Sequence, residues 1–379
     1  MSRRDAAASA TVTVVRSVPV PRSVPPVSLR GWSSVIALLG VLAVALTTLT
    51  GCGSGDYESA ATAAPTGGGG LSFGVASIAT ITDRTGAGMR RESAAIKSTG
   101  ASWVRVFMNW NETEPEPGLY QWDRLDDAVD AARGHDLSIL GLIAGPAPAW
   151  AGRAPHNGSS APLDSADFAD FAKRVASRYS SSVSTWELWN EPNLPGYWAA
   201  PRASDYAETL TAGYAAIKSV QPHSTVISGG VSPDISGVPI LTFLQGLYDA
   251  GAGDSFDAVG LHPYTVPYPL ATDPFGRSRV ISDVRDLMAR NGQASKKIWV
   301  TEWGQPTGDN KYAVDEPRQA EILTSGLRFM TSQPNMGPVF VFTSKDWSSD
   351  RTNVEFNYGL FRYDYSPKPI VARLRELAR

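Results

Sequence analysis

The chain of 379 residues has a single cysteine, Cys52, which excludes a disulfide framework. Its four histidines, His135, His156, His223 and His262, are scattered, so a Cys/His metal centre finds no cluster of ligands. Charge of one sign is lacking too. The formal net charge is −3, and nothing electrostatic points to a nucleic-acid partner. No glycine-rich dinucleotide fingerprint follows the first β-prone run. No cofactor and no metal are expected, and a monomer is. Tryptophan, by contrast, is plentiful: eleven residues exceed what a core needs.

Residues 1–31 carry Arg3, Arg4, Arg16, Arg22 and Arg30 without hydrophobic periodicity, and the apolar run 35–46 follows. That run is too short to span a bilayer comfortably, and a basic flank before a short apolar core is the signal-peptide layout. Leu49-Thr50-Gly51-Cys52 resembles the bacterial lipobox, which implies cleavage before Cys52 and its lipidation. A Gly/Ser/Ala/Thr-rich spacer ending in Gly67-Gly68-Gly69-Gly70 comes next. The expected organisation is a lipoprotein signal peptide at 1–51, a flexible tether at 52–70 and one domain at 71–379. The domain is expected to be exported, either lipid-anchored to the outer face of a bacterial cytoplasmic membrane or secreted.

From Leu71 short β-runs alternate with amphipathic helical stretches. The β-runs are 71–76, 103–108, 137–143, 185–189, 225–229, 256–261, 297–303 and 338–343. Helical patterns fall at 89–99, 122–134, 165–179, 203–220, 239–250, 277–291, 316–333 and 367–378. Asp164, Ser165 and Ser204 suit N-caps, and Gly100, Gly134 and Gly292 suit the position after a helix end. Eight strands alternating with eight helices predict a single α/β domain, a (β/α)8 TIM barrel.

Two strands end in the same way. Thr185-Trp186-Glu187-Leu188-Trp189-Asn190-Glu191-Pro192-Asn193 stops at Pro192, which cannot donate to a ladder. Ile298-Trp299-Val300-Thr301-Glu302-Trp303-Gly304 is an apolar strand ending in Glu, Trp and Gly. Glu191 and Glu302 therefore stand at the tips of strands four and seven, which share the C-terminal mouth of a barrel. Paired carboxylates are what acid/base and nucleophilic chemistry on a sugar requires. Other tips add Arg105, Asn109, Trp110, Trp150, Asn190, Trp198, His262, Tyr264, Trp303 and Trp347 as candidate substrate-binding residues, the indoles to stack on pyranose rings. Trp103 and Trp299 lie within strands and read as packing. Arg105 is enclosed by apolar neighbours and needs a paired carboxylate if buried.

Trp189-Asn190-Glu191-Pro192-Asn193 and Thr301-Glu302-Trp303-Gly304 resemble the two motifs of the clan A retaining glycoside hydrolases. Trp103-Val104-Arg105-Val106, the stretch from Glu114 to Asp123, and Tyr358-Gly359-Leu360-Phe361 add to the resemblance, which is closest to glycoside hydrolase family 39, with family 5 next. It implies hydrolysis of a β-glycosidic bond in an envelope or extracellular poly- or oligosaccharide. Glu302 would be the nucleophile and Glu191 the acid/base. Arg105, with His262 or Tyr264, would keep Glu302 ionised, and Asn190 would bond the sugar 2-hydroxyl. The same residues would serve a transglycosylase, and a non-catalytic polysaccharide-binding lipoprotein is the reading from another class.

Overall fold

A computed structural model describes residues 70–233 and 236–379. The expected signal peptide, Cys52 and all of the expected tether but Gly70 lie outside the described residues. Strands β1 (Gly74–Ala76), β2 (Trp103–Asn109), β3 (Ser138–Ala144), β4 (Thr185–Asn190), β5 (Thr225–Gly230), β6 (Ala258–Leu261), β7 (Lys297–Trp303) and β8 (Met336–Val341) pair in parallel, and β8 closes on β1. One-turn helices α1 (Ala79–Thr82) and α3 (Trp110–Thr113) sit in the first two loops. The outer ring is α2 (Gly86–Ser98), α4 (Asp123–Arg133), α5 (Ser165–Arg178), α6 (Ala203–Val220), α7 (Ile240–Asp249), α8 (Val280–Arg290), α9 (Glu316–Ser332) and α10 (Pro369–Leu377). This is the predicted (β/α)8 barrel. No helix among the described residues is long and apolar enough to cross a membrane.

Helix α5 shows why these segments are helical. Asp164 caps it by accepting from the Ala166 N–H at 2.8 Å, and Phe168, Phe171, Ala172, Val175 and Ala176 fall on one stripe, all buried against the barrel. The strands divide their side chains by alternation. Val104, Val106, Ile139, Leu188 and Val300 point outward beneath the helices. Leu140, Ile227, Ala258, Trp299 and Phe340, with Trp103 against them, form a separate apolar floor inside the barrel. Trp103 meets Trp299 edge to face at 5.7 Å, so both indoles pack, as expected. Two residues further along, the same alternation turns Arg105, Glu187 and Thr301 into the barrel above that floor. A charged layer on an apolar plug is what positions the site.

The elements differ from expectation in detail. β1 begins only at Gly74, because the Leu71 N–H is spent on Leu377 O at 2.7 Å, at the end of α10, rather than on the ladder. Ser204 lies inside α6, whose N-cap is Arg202 without a side-chain cap. Gly134 keeps a right-handed φ of −61°, and Asp136 takes the left-handed turn at 52°. β8 starts earlier than predicted, with a shifted register around Gly337 and Pro338 against β7. The irregularity absorbs the proline's missing N–H, and a Cβ on Gly337 would lie 2.4 Å from the Trp299 indole.

Candidate active site

Backbone strain sets the tip of β4. Trp189 and Glu191 have φ of 73° and 46°, a left-handed region that costs non-glycine residues on the order of 1–3 kcal/mol each. Trp189, which strict alternation would send inward with Glu187, packs edge to face on Phe168 and Trp198 at 5.6 and 5.3 Å. Asn190 turns in instead, and its Oδ1 accepts from Arg105 Nη2 at 2.8 Å. The Glu191 N–H then reaches Gly230 O at 3.0 Å, holding the tip on β5.

Arg105 distributes its guanidinium over three partners: Nε to Glu187 Oε2 at 2.7 Å, Nη1 to Glu302 Oε2 at 2.9 Å, and Nη2 to Asn190. Burial opposes the charge, but Glu187 and Glu302 together hold its pKa above the ordinary arginine value. Glu302 accepts at its other oxygen from Tyr264 Oη at 2.7 Å. Burial first, and then Glu302, raise the Tyr264 pKa well above the usual phenol value, which keeps it a donor. Glu302 thus accepts at both oxygens, the pattern of a carboxylate.

Glu191 has a different environment. Its Oε1 lies 2.8 Å from His262 Nδ1, so His262 serves Glu191, and of the two residues expected beside Arg105 to keep Glu302 ionised it is Tyr264 that bonds Glu302. Burial above all takes the His262 pKa down to about 4, with Glu302 and Glu187 pulling it up and Arg105 pushing it down. The imidazole is therefore neutral near pH 7 and carries one N–H. Thr301 gives its hydroxyl proton to Glu187 Oε1 at 2.8 Å, so its oxygen accepts from His262 Nε2 at 3.0 Å. Nδ1 is left able only to accept, and the contact with Glu191 requires the proton to be on the glutamate. The relay from Glu191 through His262 and Thr301 to Glu187 holds Glu191 as an acid. One oxygen each of Glu191 and Glu302, and a ring nitrogen of His262, lie within 4.8 Å of one another. Such a set could ligate a cation, but these atoms are already committed to hydrogen bonds.

Arg105, Asn190, Glu302 and Trp347 line one cleft together with Phe107 and Tyr197. Five candidates lie elsewhere. Trp110 is 0% exposed, stacked on Phe171 at 5.7 Å with its Nε1 on Glu114 Oε2. Trp150 meets Trp110 edge to face and donates to Glu114 O at 3.1 Å. Trp198 packs between Trp189 and Tyr206, and Trp303 is buried against α9 at Gly326. Trp110, Trp198 and Trp303 are core rather than sugar platforms, and Trp150 is half-buried against that core. Asn109 caps α3 through the Glu112 N–H and lines an adjoining cavity of about 550 Å3. Sequence reasoning missed Glu187 and Thr301. Glu187 had a signal, a charged residue within an apolar strand, the same signal that marked Arg105.

A family model described as Cellulase (glycosyl hydrolase family 5) matches residues 74–340. A search of curated proteins found no match. Among solved structures, a family 39 glycoside hydrolase from Bacteroides cellulosilyticus WH2 is similar at a TM-score of 0.63 and 23% identity, over 80% of this chain and 62% of that one. The chain thus spans less than two thirds of that protein's length. A monomeric β-xylosidase from Caulobacter crescentus CB15 gives a TM-score of 0.61 at 17% identity, over 81% of this chain and 67% of its own. A GH5_18 structure from Streptomyces cattleya with GlcNAc gives 0.63 at 16%, over 81% and 79%. The family-level match falls on family 5, which the resemblance had ranked second to family 39. With a closed eight-stranded barrel, two carboxylates at the tips of β4 and β7, and a family match spanning most of the chain, this protein belongs to glycosyl hydrolase family 5, a clan A family of retaining glycoside hydrolases.

Proposed function

We propose that the protein hydrolyses β-glycosidic bonds with retention by double displacement, with Glu302 as nucleophile and Glu191 as acid/base. The observation that carries this reading is the unlike pair itself. Two carboxyl groups come within 4.8 Å, one bonded by Arg105 and Tyr264 as a carboxylate, the other proton-bearing toward a neutral His262. Separations of about 5–5.5 Å suit retention, whereas inversion needs more than about 6.5 Å to admit water. Glu302 attacks the anomeric carbon while Glu191 gives its proton to the leaving oxygen. Glu191, now a carboxylate, takes a proton from water, which displaces the sugar from Glu302. Asn190, bonded to Arg105, bonds the sugar 2-hydroxyl in this reading, and Trp347, in the same cleft, stacks on the ring.

The substrate is a β-linked oligo- or polysaccharide of the envelope or its surroundings, reached by an exported enzyme lipidated at Cys52. A relative named a β-xylosidase and another carrying GlcNAc support a β-linked pyranose without choosing among sugars. The test is incubation with 2-deoxy-2-fluoroglycosides of gluco, manno and xylo configuration, followed by peptide mass spectrometry. A single adduct on Glu302, absent from Glu302→Gln, is expected. Stable labelling of any other residue would remove Glu302 from the nucleophile role.

A further inference from the structure

Glu355 lies in the single turn Val354–Phe356, between β8 and α10. Its backbone is fixed from both sides. Asn353 Oδ1 accepts from the Glu355 N–H at 3.0 Å, and Phe356 O accepts from the Trp347 N–H at 2.9 Å. The Phe356 ring lies parallel to Trp347 with centroids 6.5 Å apart, so the turn is continuous with the cleft wall. Asn357 completes the clamp by donating to Asp350 O and Asn353 O at 2.8 and 2.7 Å. Glu355 Oε1 is buried, yet finds no hydrogen-bond partner among the described residues. The titratable groups whose charge acts on it are Glu302 and, once it has given up its proton, Glu191, and the phenols of Tyr197 and Tyr358 feel its own charge. No cation among the described residues comes into this set.

A buried carboxyl oxygen left without a partner has given up its water without a replacement hydrogen bond. Trp347, against which this turn packs, lines the cleft with Asn190 and Glu302, and a sugar bound there is the partner this geometry offers. Resting on the glycosidase reading above, we propose that Glu355 contacts substrate: its unpartnered oxygen hydrogen-bonds a hydroxyl of the sugar unit held at Glu191 and Glu302, and so selects that unit's configuration. Burial, reinforced by Glu191 and Glu302, pushes the Glu355 pKa up to about 7. Below that pH the neutral carboxyl can donate to the hydroxyl. Above it, Glu355 adds a negative charge beside Glu302 and can only accept.

The experiment measures inactivation by the same fluoroglycoside panel for wild type, Glu355→Gln and Glu355→Ala between pH 5.5 and 8.5. In wild type, the half-saturating inactivator concentration should rise as pH passes 7. Glu355→Gln keeps a neutral hydrogen-bonding group, so it should stay within a few-fold of wild type at pH 6 and lose that rise. Glu355→Ala should weaken half-saturation about tenfold for the preferred configuration and less for the others, with the limiting rate nearly kept. Thermal melts of both variants establish that each is folded. Equal half-saturation and equal pH profiles in all three proteins would overturn the contact while leaving Glu302 labelling intact. Absence of wild-type labelling by every configuration would instead overturn the glycosidase reading, and this inference with it.

Discussion

At the scale of single residues, the site works by giving two glutamates opposite hydrogen-bonding partners. Thr301 tests the relay that does this for Glu191. In Thr301→Val the His262 Nε2 loses its acceptor, the imidazole proton moves to Nδ1, and that N–H favours the Glu191 carboxylate. The alkaline limb of kcat/KM should shift to lower pH, with about a tenfold to hundredfold loss at pH 7. An unmoved alkaline limb would mean that the tautomer is not controlled from Thr301. His262 also ties stability to pH. Its folded pKa of about 4 lies below the usual 6.5, so the unfolded chain binds more protons between those values. The contribution of His262 should be full above pH 6.5 and be lost as pH drops toward 4, by at most about 3 kcal/mol, while Glu355, with its raised pKa, contributes with the opposite slope. A pH series of urea melts on wild type and His262→Gln checks it: the acid-side slope should be shallower in the variant.

The acid pair and Arg105 were legible because a charge in or at the end of an apolar strand is costly to bury unless it is paired or put to use. The indoles were not. Trp110 and Trp198 follow strand ends and Trp303 closes one, much as Trp347 comes after β8, and sequence position alone does not say which way the chain turns there. The left-handed backbone at Trp189 and Glu191 sits on residue types that ordinarily avoid it, so nothing local announced it. Glu355 gave no signal either, since its meaning comes from Glu191 and Glu302, far off in the chain.

At the scale of elements, the period-two strands and the helical stripes placed all sixteen main segments within a few residues. Errors gathered at ends, where one hydrogen bond decides a boundary, as at Leu71. The link between element and site is testable at α9. A methyl added at Gly326 would lie 2.2 Å from the Trp303 ring, next in sequence to Glu302. Gly326→Ala should destabilise the fold by about 1–3 kcal/mol through overpacking. It should also lower kcat at temperatures where the protein remains folded, because β7 must shift to relieve the clash. A melt and an activity measurement at 20 °C separate the two effects. Full activity in a destabilised variant would show that β7 absorbs the methyl without moving Glu302.

At the scale of the whole molecule, the proposed lipid attachment predicts that radiolabelled palmitate enters the full-length protein in a bacterial host. Cys52→Ala should abolish that label and release the domain from the membrane fraction, with specific activity unchanged. Persistent membrane association of Cys52→Ala would point to retention by another part of the chain.

The chain enters the barrel beside the end of α10, where Leu71 is bonded to Leu377. In a barrel of this handedness that is the floor side, and Glu191 and Glu302 open at the other end. If the segment from Cys52 to Gly70 is the flexible tether its composition predicts, its root-mean-square reach would be about 25 Å. With Cys52 in a bilayer, the domain would therefore hang with its catalytic opening turned outward. The polymer it meets would be the one arriving from beyond the cell surface, and glycan lying flat against the lipid would be the hardest for it to cut.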